Sequence, residues 1–164
     1  MKLNESMLTE LKHEAATTRK MLERVPQESL SWQPHEKSMT LGRLASHIAM
    51  LPGLFIAKLD QDEVDRSEIK PLAADNVAAI LETFDQNIAS SLELLKTQSE
   101  ERLLGVWRYK DGEKVVFEMP RVAVIRLIAL NHLIHHRGQL SVYLRLLNVP
   151  LPSVYGPTAD ESLS

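Results

Sequence analysis

Between residues 4 and 25, apolar and small side chains return every three or four positions, at Leu8, Leu11, Ala15, Thr18, Leu22 and Val25. That spacing follows the 3.6-residue helical turn and predicts one amphipathic helix with a single buried stripe. Pro26 ends it, and the segment from Pro26 to Met39, with a second proline at position 34, reads as a loop. Thr40 is the predicted N-cap of a second helix whose inward stripe is Leu44, His47, Ile48, Leu51 and Phe55. Pro52 is expected to kink or divide that helix, because it lacks a backbone donor and crowds the preceding turn. The acidic stretch from Asp60 to Pro71 reads as exposed.

A third helix is predicted behind Asp75 as N-cap, with Val77, Ile80, Leu81, Phe84, Ile88, Leu92 and Leu95 on its buried face. The period then changes. Trp107, Tyr109, Val115, Val116 and Phe117 flank Asp111-Gly112, the signature of a short β-hairpin, and Pro120 closes it. The last helix is predicted over residues 121–147, with Val122, Ile125, Ala129, His132, Leu133, His136, Leu140, Tyr143, Leu144 and Leu147 facing inward. Asn148, Pro150 and Pro152 stop it, and the tail to Ser164 is expected to lie extended on the surface. The pattern predicts an all-α fold: a four-helix bundle with a small β-hairpin insertion before the last helix, as one domain over 1–164.

Composition narrows the chemistry. The chain has no cysteine, which excludes disulfides, thiolate ligands and nucleophilic thiols and leaves His, Asp and Glu for any metal site. A net charge of −3 gives no general attraction to nucleic acid or to an anionic membrane. No apolar run approaches the roughly 20 residues of a spanning helix, and Met1 to Glu5 lead straight into an amphipathic pattern without a signal-peptide core. A cytoplasmic protein is the expectation. The acidic group Asp60, Asp62, Glu63 and Asp65 lacks the glycine and spacing of a calcium loop and reads as a solvated turn.

The histidines stand out against this background. His132 and His136 are four residues apart on a helix, which stacks their rings on one face about 5–6 Å apart at Cβ. His47 lies on the apolar stripe of another helix. Three neutral imidazoles with remaining positions open form a ligand set typical of catalytic rather than structural metal sites. Spacing alone leaves a second reading open, in which each histidine is a hydrogen-bonded core residue. His13 and His35 read as exposed, and Trp32 and Trp107 as packing residues. Arg137 and Gln139 stand beside His136, either to position a ligand or as surface residues.

Two separated segments resemble a known family. The run Leu130-Asn131-His132-Leu133-Ile134-His135-His136-Arg137-Gly138-Gln139-Leu140 is similar to the hallmark of DinB-like proteins, which are related to the YfiT-like and bacillithiol S-transferase group. The run from Trp32 through Pro34 to His47 and Ile48 resembles the second landmark, a Trp-x-Pro loop leading into the helix that bears the first metal histidine. The tail from Val149 to Pro157 resembles the same group. This resemblance implies an up-down four-helix bundle with a long crossover connection, a metal triad at His47, His132 and His136, and no ligand role for His135. It also implies zinc or nickel as the metal and a homodimer. For activity it implies thiol S-transfer to a small electrophile, with a low-molecular-weight thiol as co-substrate. The alternatives are a metal-dependent hydrolase and a non-catalytic, stress-linked metal-binding module. Neither residues nor resemblance assign a catalytic or cofactor-binding residue beyond the triad.

Overall fold

The computed structural model describes residues 2–73 and 75–162. Met1 of the expected leaderless start, and Leu163 and Ser164 of the predicted surface tail, lie outside the described residues. Four long helical segments carry the fold: α1 (Leu3–Leu22), α2 (Leu41–Phe55), α3 (Val77–Thr97) and a last rod beyond residue 120. A five-residue helix, α4 (Glu100–Leu104), capped by Ser99 through the Arg102 backbone N–H, follows α3. The predicted stripe of α1 is buried at Leu11, Ala15, Thr18 and Leu22, and burial widens onto Met7, Glu14, Thr17 and Met21.

α2 starts where the sequence places it, with the Thr40 hydroxyl accepting from the Arg43 N–H at 3.3 Å. Pro52 does not divide this helix, which runs on to Phe55. The carbonyls near it find side-chain partners on α3: Asn87 Nδ2 donates to the Ala49 carbonyl at 2.9 Å, and Ser91 Oγ to the Pro52 carbonyl at 3.1 Å. Gly53 makes the first of these possible, because a Cβ there would lie 2.2 Å from Asn87 Oδ1. The cap of α3 is Asn76, one residue beyond the predicted Asp75; its Oδ1 accepts from the Ala79 N–H.

Helix α1 packs on α3 and on the last rod, and α2 packs on the same two. Consecutive α1 and α2 therefore face each other diagonally, with residues 23–40 carrying the chain across. That connection is tied to the start of α2 by the Leu41 N–H to the Trp32 carbonyl (2.8 Å) and the Gly42 N–H to the Leu30 carbonyl (2.9 Å). Leu44, Ile48, Leu51, Leu140 and Leu144 are fully buried in the shared core, each contributing up to about 1.5–3 kcal/mol by transfer from water.

The hairpin is present as β2 (Val106–Asp111) and β3 (Lys114–Pro120), and Gly112 takes the positive φ of 62° its turn requires. Three features depart from the sequence reading. The acidic stretch is not only a solvated loop, since β1 (Glu63–Asp65) joins β2 in parallel with Val64 buried. The cause is Arg121, 1% exposed, which donates to the Leu59, Val106 and Gln61 carbonyls at 2.8 Å each and to Asp62 Oδ1 at 2.7 Å. Asp65 Oδ2 also accepts from the Gly112 N–H at 2.8 Å, and Glu63 pairs with Lys110.

The last rod is not uniform either. It comprises α5 (Arg121–Ala123), a π-helical segment Val124–Leu130 and α6 (Asn131–Leu146), in which the Asn131 N–H reaches back five residues to the Arg126 carbonyl. The tail is not freely extended. Its Asp160 accepts from the Leu151 N–H and pairs with Arg145, while the Tyr155 hydroxyl donates to Glu14 Oε1 at 2.7 Å. No helix among the described residues is long and apolar enough to cross a membrane.

Candidate metal centre

Helix α2 supplies His47, and α6 supplies His132 and His136 from successive turns. Their Nε2 atoms converge. His132 Nε2 lies 2.8 Å from His136 Nε2 and 3.3 Å from His47 Nε2. The ligand-capable nitrogens of all three lie within 4.8 Å of one another. Three ring nitrogens aimed at one spot are the arrangement a bound cation would satisfy, whereas mutual hydrogen bonds reach only from His132 to each of the other two.

The outer nitrogen of His136 orients its ring. His136 Nδ1 sits 2.7 Å from Gln139 Oε1, an acceptor, so Nδ1 carries the hydrogen and the Nε2 lone pair points inward. All three imidazoles are held toward the neutral form. Burial, followed by the charges of His136, His132 and Arg43, brings His47 down to about 4. Burial also lowers His132, aided by His136 and His135, and lowers His136 against the opposing Gln139 bond. Neutral imidazole is the protonation state in which histidine ligates a metal. The donor set therefore fits a divalent ion.

The other predicted residues divide cleanly. His13, His35 and His135 are exposed, and His135 only packs its ring 4.9 Å from that of His136. Trp32 sets its edge on Tyr143, and Trp107 is fully buried against the sheet's aromatic side chains Tyr109 and Phe117. Of the two residues left open, Gln139 orients a ring. Arg137, 2% exposed, instead ties α6 to α1 and the tail, with Nη1 2.8 Å from Glu14 Oε2, 3.1 Å from Thr18 Oγ1, and its guanidinium 5.1 Å from the Tyr155 ring centre.

A cavity of about 480 Å³ opens beside the triad, with His47 and His132 in its wall. Sequence reasoning missed the rest of this wall. Arg43 and Met50 were within reach of helical spacing, four residues before and three after His47. Arg66 and Tyr109 were not, since the parallel pairing of β1 with β2 brings them there. Glu118 pairs with Arg108 on the sheet at 3.0 Å and does not line the cavity.

Comparison with known proteins agrees with this architecture. The chain is 28% identical to YrdA of Bacillus subtilis (strain 168) over 151 residues, covering 90% of this chain and 85% of that one. A DinB-like protein from Bacillus cereus ATCC 10987 shares the fold with a TM-score of 0.73 at 24% identity, covering 92% of this chain and 97% of its own. YfiT from Bacillus subtilis, described as a probable metal-dependent hydrolase with an unusual four-helix bundle topology, superposes with a TM-score of 0.64 at 13% identity, over 89% of this chain and 88% of its own. The DinB family model matches residues 1–162, and the chain belongs to the DinB family.

Proposed function

We propose that this protein is a metal-dependent enzyme in which His47, His132 and His136 hold one divalent ion, zinc or nickel, and that it transfers a small thiol to an electrophilic molecule. The observation carrying this reading is the convergence of three neutral imidazoles beside an open cavity. A divalent ion bound there lowers the pKa of a bound thiol or water and supplies a nucleophile near neutral pH. The protein's own groups do the rest. Gln139 fixes the His136 ring, and Leu54, Phe55 and Leu72 make part of the cavity wall apolar. Burial raises the Tyr109 phenol above its usual 10, so its hydroxyl keeps its proton and can donate to a leaving group.

Transfer is preferred to hydrolysis because a thiol starts with a far lower pKa than water and would ionise more readily at the same ion, while no carboxylate lines the cavity among the described residues to assist a water. Hydrolysis is retained as the second reading on the description of YfiT. Assembly as a homodimer, implied by the family resemblance, belongs to the same proposal and is tested by the molar mass in solution.

The first test is elemental analysis of protein purified without an affinity tag. About one ion per chain is expected, falling near zero in His47→Ala, His132→Ala and His136→Ala while the helical circular dichroism persists. A content near zero in unmutated, chelator-free protein overturns the metal site. Thiol consumption with a small aryl halide, set against hydrolysis of a small ester, then separates the two reactions.

A further inference from the structure

The wall of the cavity is at odds with the charge of the chain. The protein carries 22 acidic against 19 basic residues, yet among the described residues the cavity is lined by Arg43, Arg66, His47 and His132 with no Asp or Glu. The exposed Arg43, like Arg24 outside the cavity, makes no side-chain hydrogen bond and no ion pair among the described residues, whereas Arg19, Arg102, Arg108, Arg121, Arg126, Arg137 and Arg145 are each paired. The nearest carboxylate to Arg66 is Asp111, 3.7 Å away with both side chains well exposed, a loose contact of little energetic worth. A second orphan lies beside the first. Ser46 is 4% exposed, lines the same cavity, and its Oγ is buried without any hydrogen-bond partner. A buried hydroxyl left unsatisfied costs stability unless something else completes it. The remaining wall is apolar and adaptable, with Met39, Met50, Leu54 and Phe55.

From this arrangement we infer that the cavity binds a small carboxylate with a short apolar body. Arg43 takes the carboxylate, Ser46 Oγ hydrogen-bonds to the ligand's polar end, and the methionines and Phe55 pack its hydrocarbon. Arg43 lies four residues before His47 on α2, so the anion is seated roughly one helical turn, about 5–6 Å, from the triad. The reacting group of the substrate then lies a few bonds from its carboxylate, at the imidazole end of the cavity. An arginine whose fork is unoccupied suits a planar carboxylate better than a point cation would. The inference deepens the proposed enzyme reading and rests on it in taking this cavity as the substrate site.

The test uses hexanoate, hexanol and hexylamine as probes, titrated into the full-length protein with its metal content measured on the same sample. Binding is followed by the ¹³C methyl resonances of Met39 and Met50. Hexanoate is expected to shift both methyls and to bind at least about tenfold more tightly than the alcohol, with no shift from the amine. Arg43→Met should weaken hexanoate by about ten- to hundredfold, and Arg43→Lys by less, because it keeps the charge and loses the fork. Ser46→Ala should weaken hexanoate while leaving the Tm unchanged or higher, since it removes an unsatisfied hydroxyl. Equal binding of hexanol and hexanoate, an unaltered affinity in Arg43→Met, or no methyl shift at all overturns the carboxylate seat. Near-zero metal with hexanoate still lost in Arg43→Met overturns the metal-enzyme reading and leaves the seat standing. One ion per chain with hexanoate indifferent to Arg43 does the reverse.

Discussion

Replacing Gln139 by leucine removes the acceptor that holds the His136 ring without touching the ring itself. Gln139 is exposed on α6, so the substitution leaves the packing of the helix intact. What changes is one hydrogen bond, His136 Nδ1 to Gln139 Oε1 at 2.7 Å. With a neutral imidazole such a bond contributes about 0.5–1.5 kcal/mol, and with a ring polarised by a cation about 1.5–3 kcal/mol. Only the difference, roughly 1–1.5 kcal/mol, bears on metal affinity, because the metal-free protein loses the weaker bond too. That difference corresponds to about a tenfold loss of affinity, at the lower end of the ten- to hundredfold range for partners of ligating histidines. Gln139→Glu should move the other way, its carboxylate raising the basicity of the ring. The assay is competition for zinc against a chromophoric chelator, with thermal melts of the metal-free proteins alongside. If Gln139→Leu binds zinc as tightly as the unmutated chain, the hydrogen bond does not orient the ligand and the tautomer argument fails.

Two further outcomes follow from the same structure. His47 is brought down to about 4 and His132 and His136 are lowered too, mainly by burial. Between the unfolded value near 6.5 and the folded values, the unfolded chain binds more protons, so stability is full above about pH 6.5 and falls as pH drops toward 4. Urea midpoints of metal-free protein should decline over that window, and the decline should flatten in His47→Phe; a midpoint that rises as the pH is lowered contradicts the assignment. Arg121→Met strips four hydrogen bonds from a guanidinium that is 1% exposed and leaves the Leu59, Gln61 and Val106 carbonyls to find water. A loss of about 3–5 kcal/mol is expected from chemical denaturation, with early hydrogen exchange of the β1 amides; a loss below about 1 kcal/mol shows that the guanidinium is not what holds β1 to the sheet.

The amphipathic stripes, the Thr40 cap and the Asp111-Gly112 turn are local matters, decided within a few residues of backbone, and the amino-acid order was enough to place them. The same holds for the spacing that puts His132 and His136 on one helical face. It does not hold for His47. Its place in the triad depends on α2 packing against α6, a contact between residues 85 positions apart, and the residues alone left it open as a core histidine. Other features were invisible for the same physical reason. The strand at Glu63–Asp65 exists because a buried arginine some 60 residues away satisfies the carbonyls before it. The π-helical register before His132 is a choice of backbone hydrogen bonds that side-chain periodicity does not encode. The cationic wall combines Arg43 and Ser46 of α2 with Arg66 and Tyr109 delivered by the sheet. Sequence determined which helices form and which faces they bury, because those choices are settled by neighbours along the chain. Only the tertiary structure decided what stands opposite the three imidazoles, because that depends on which distant elements share a wall.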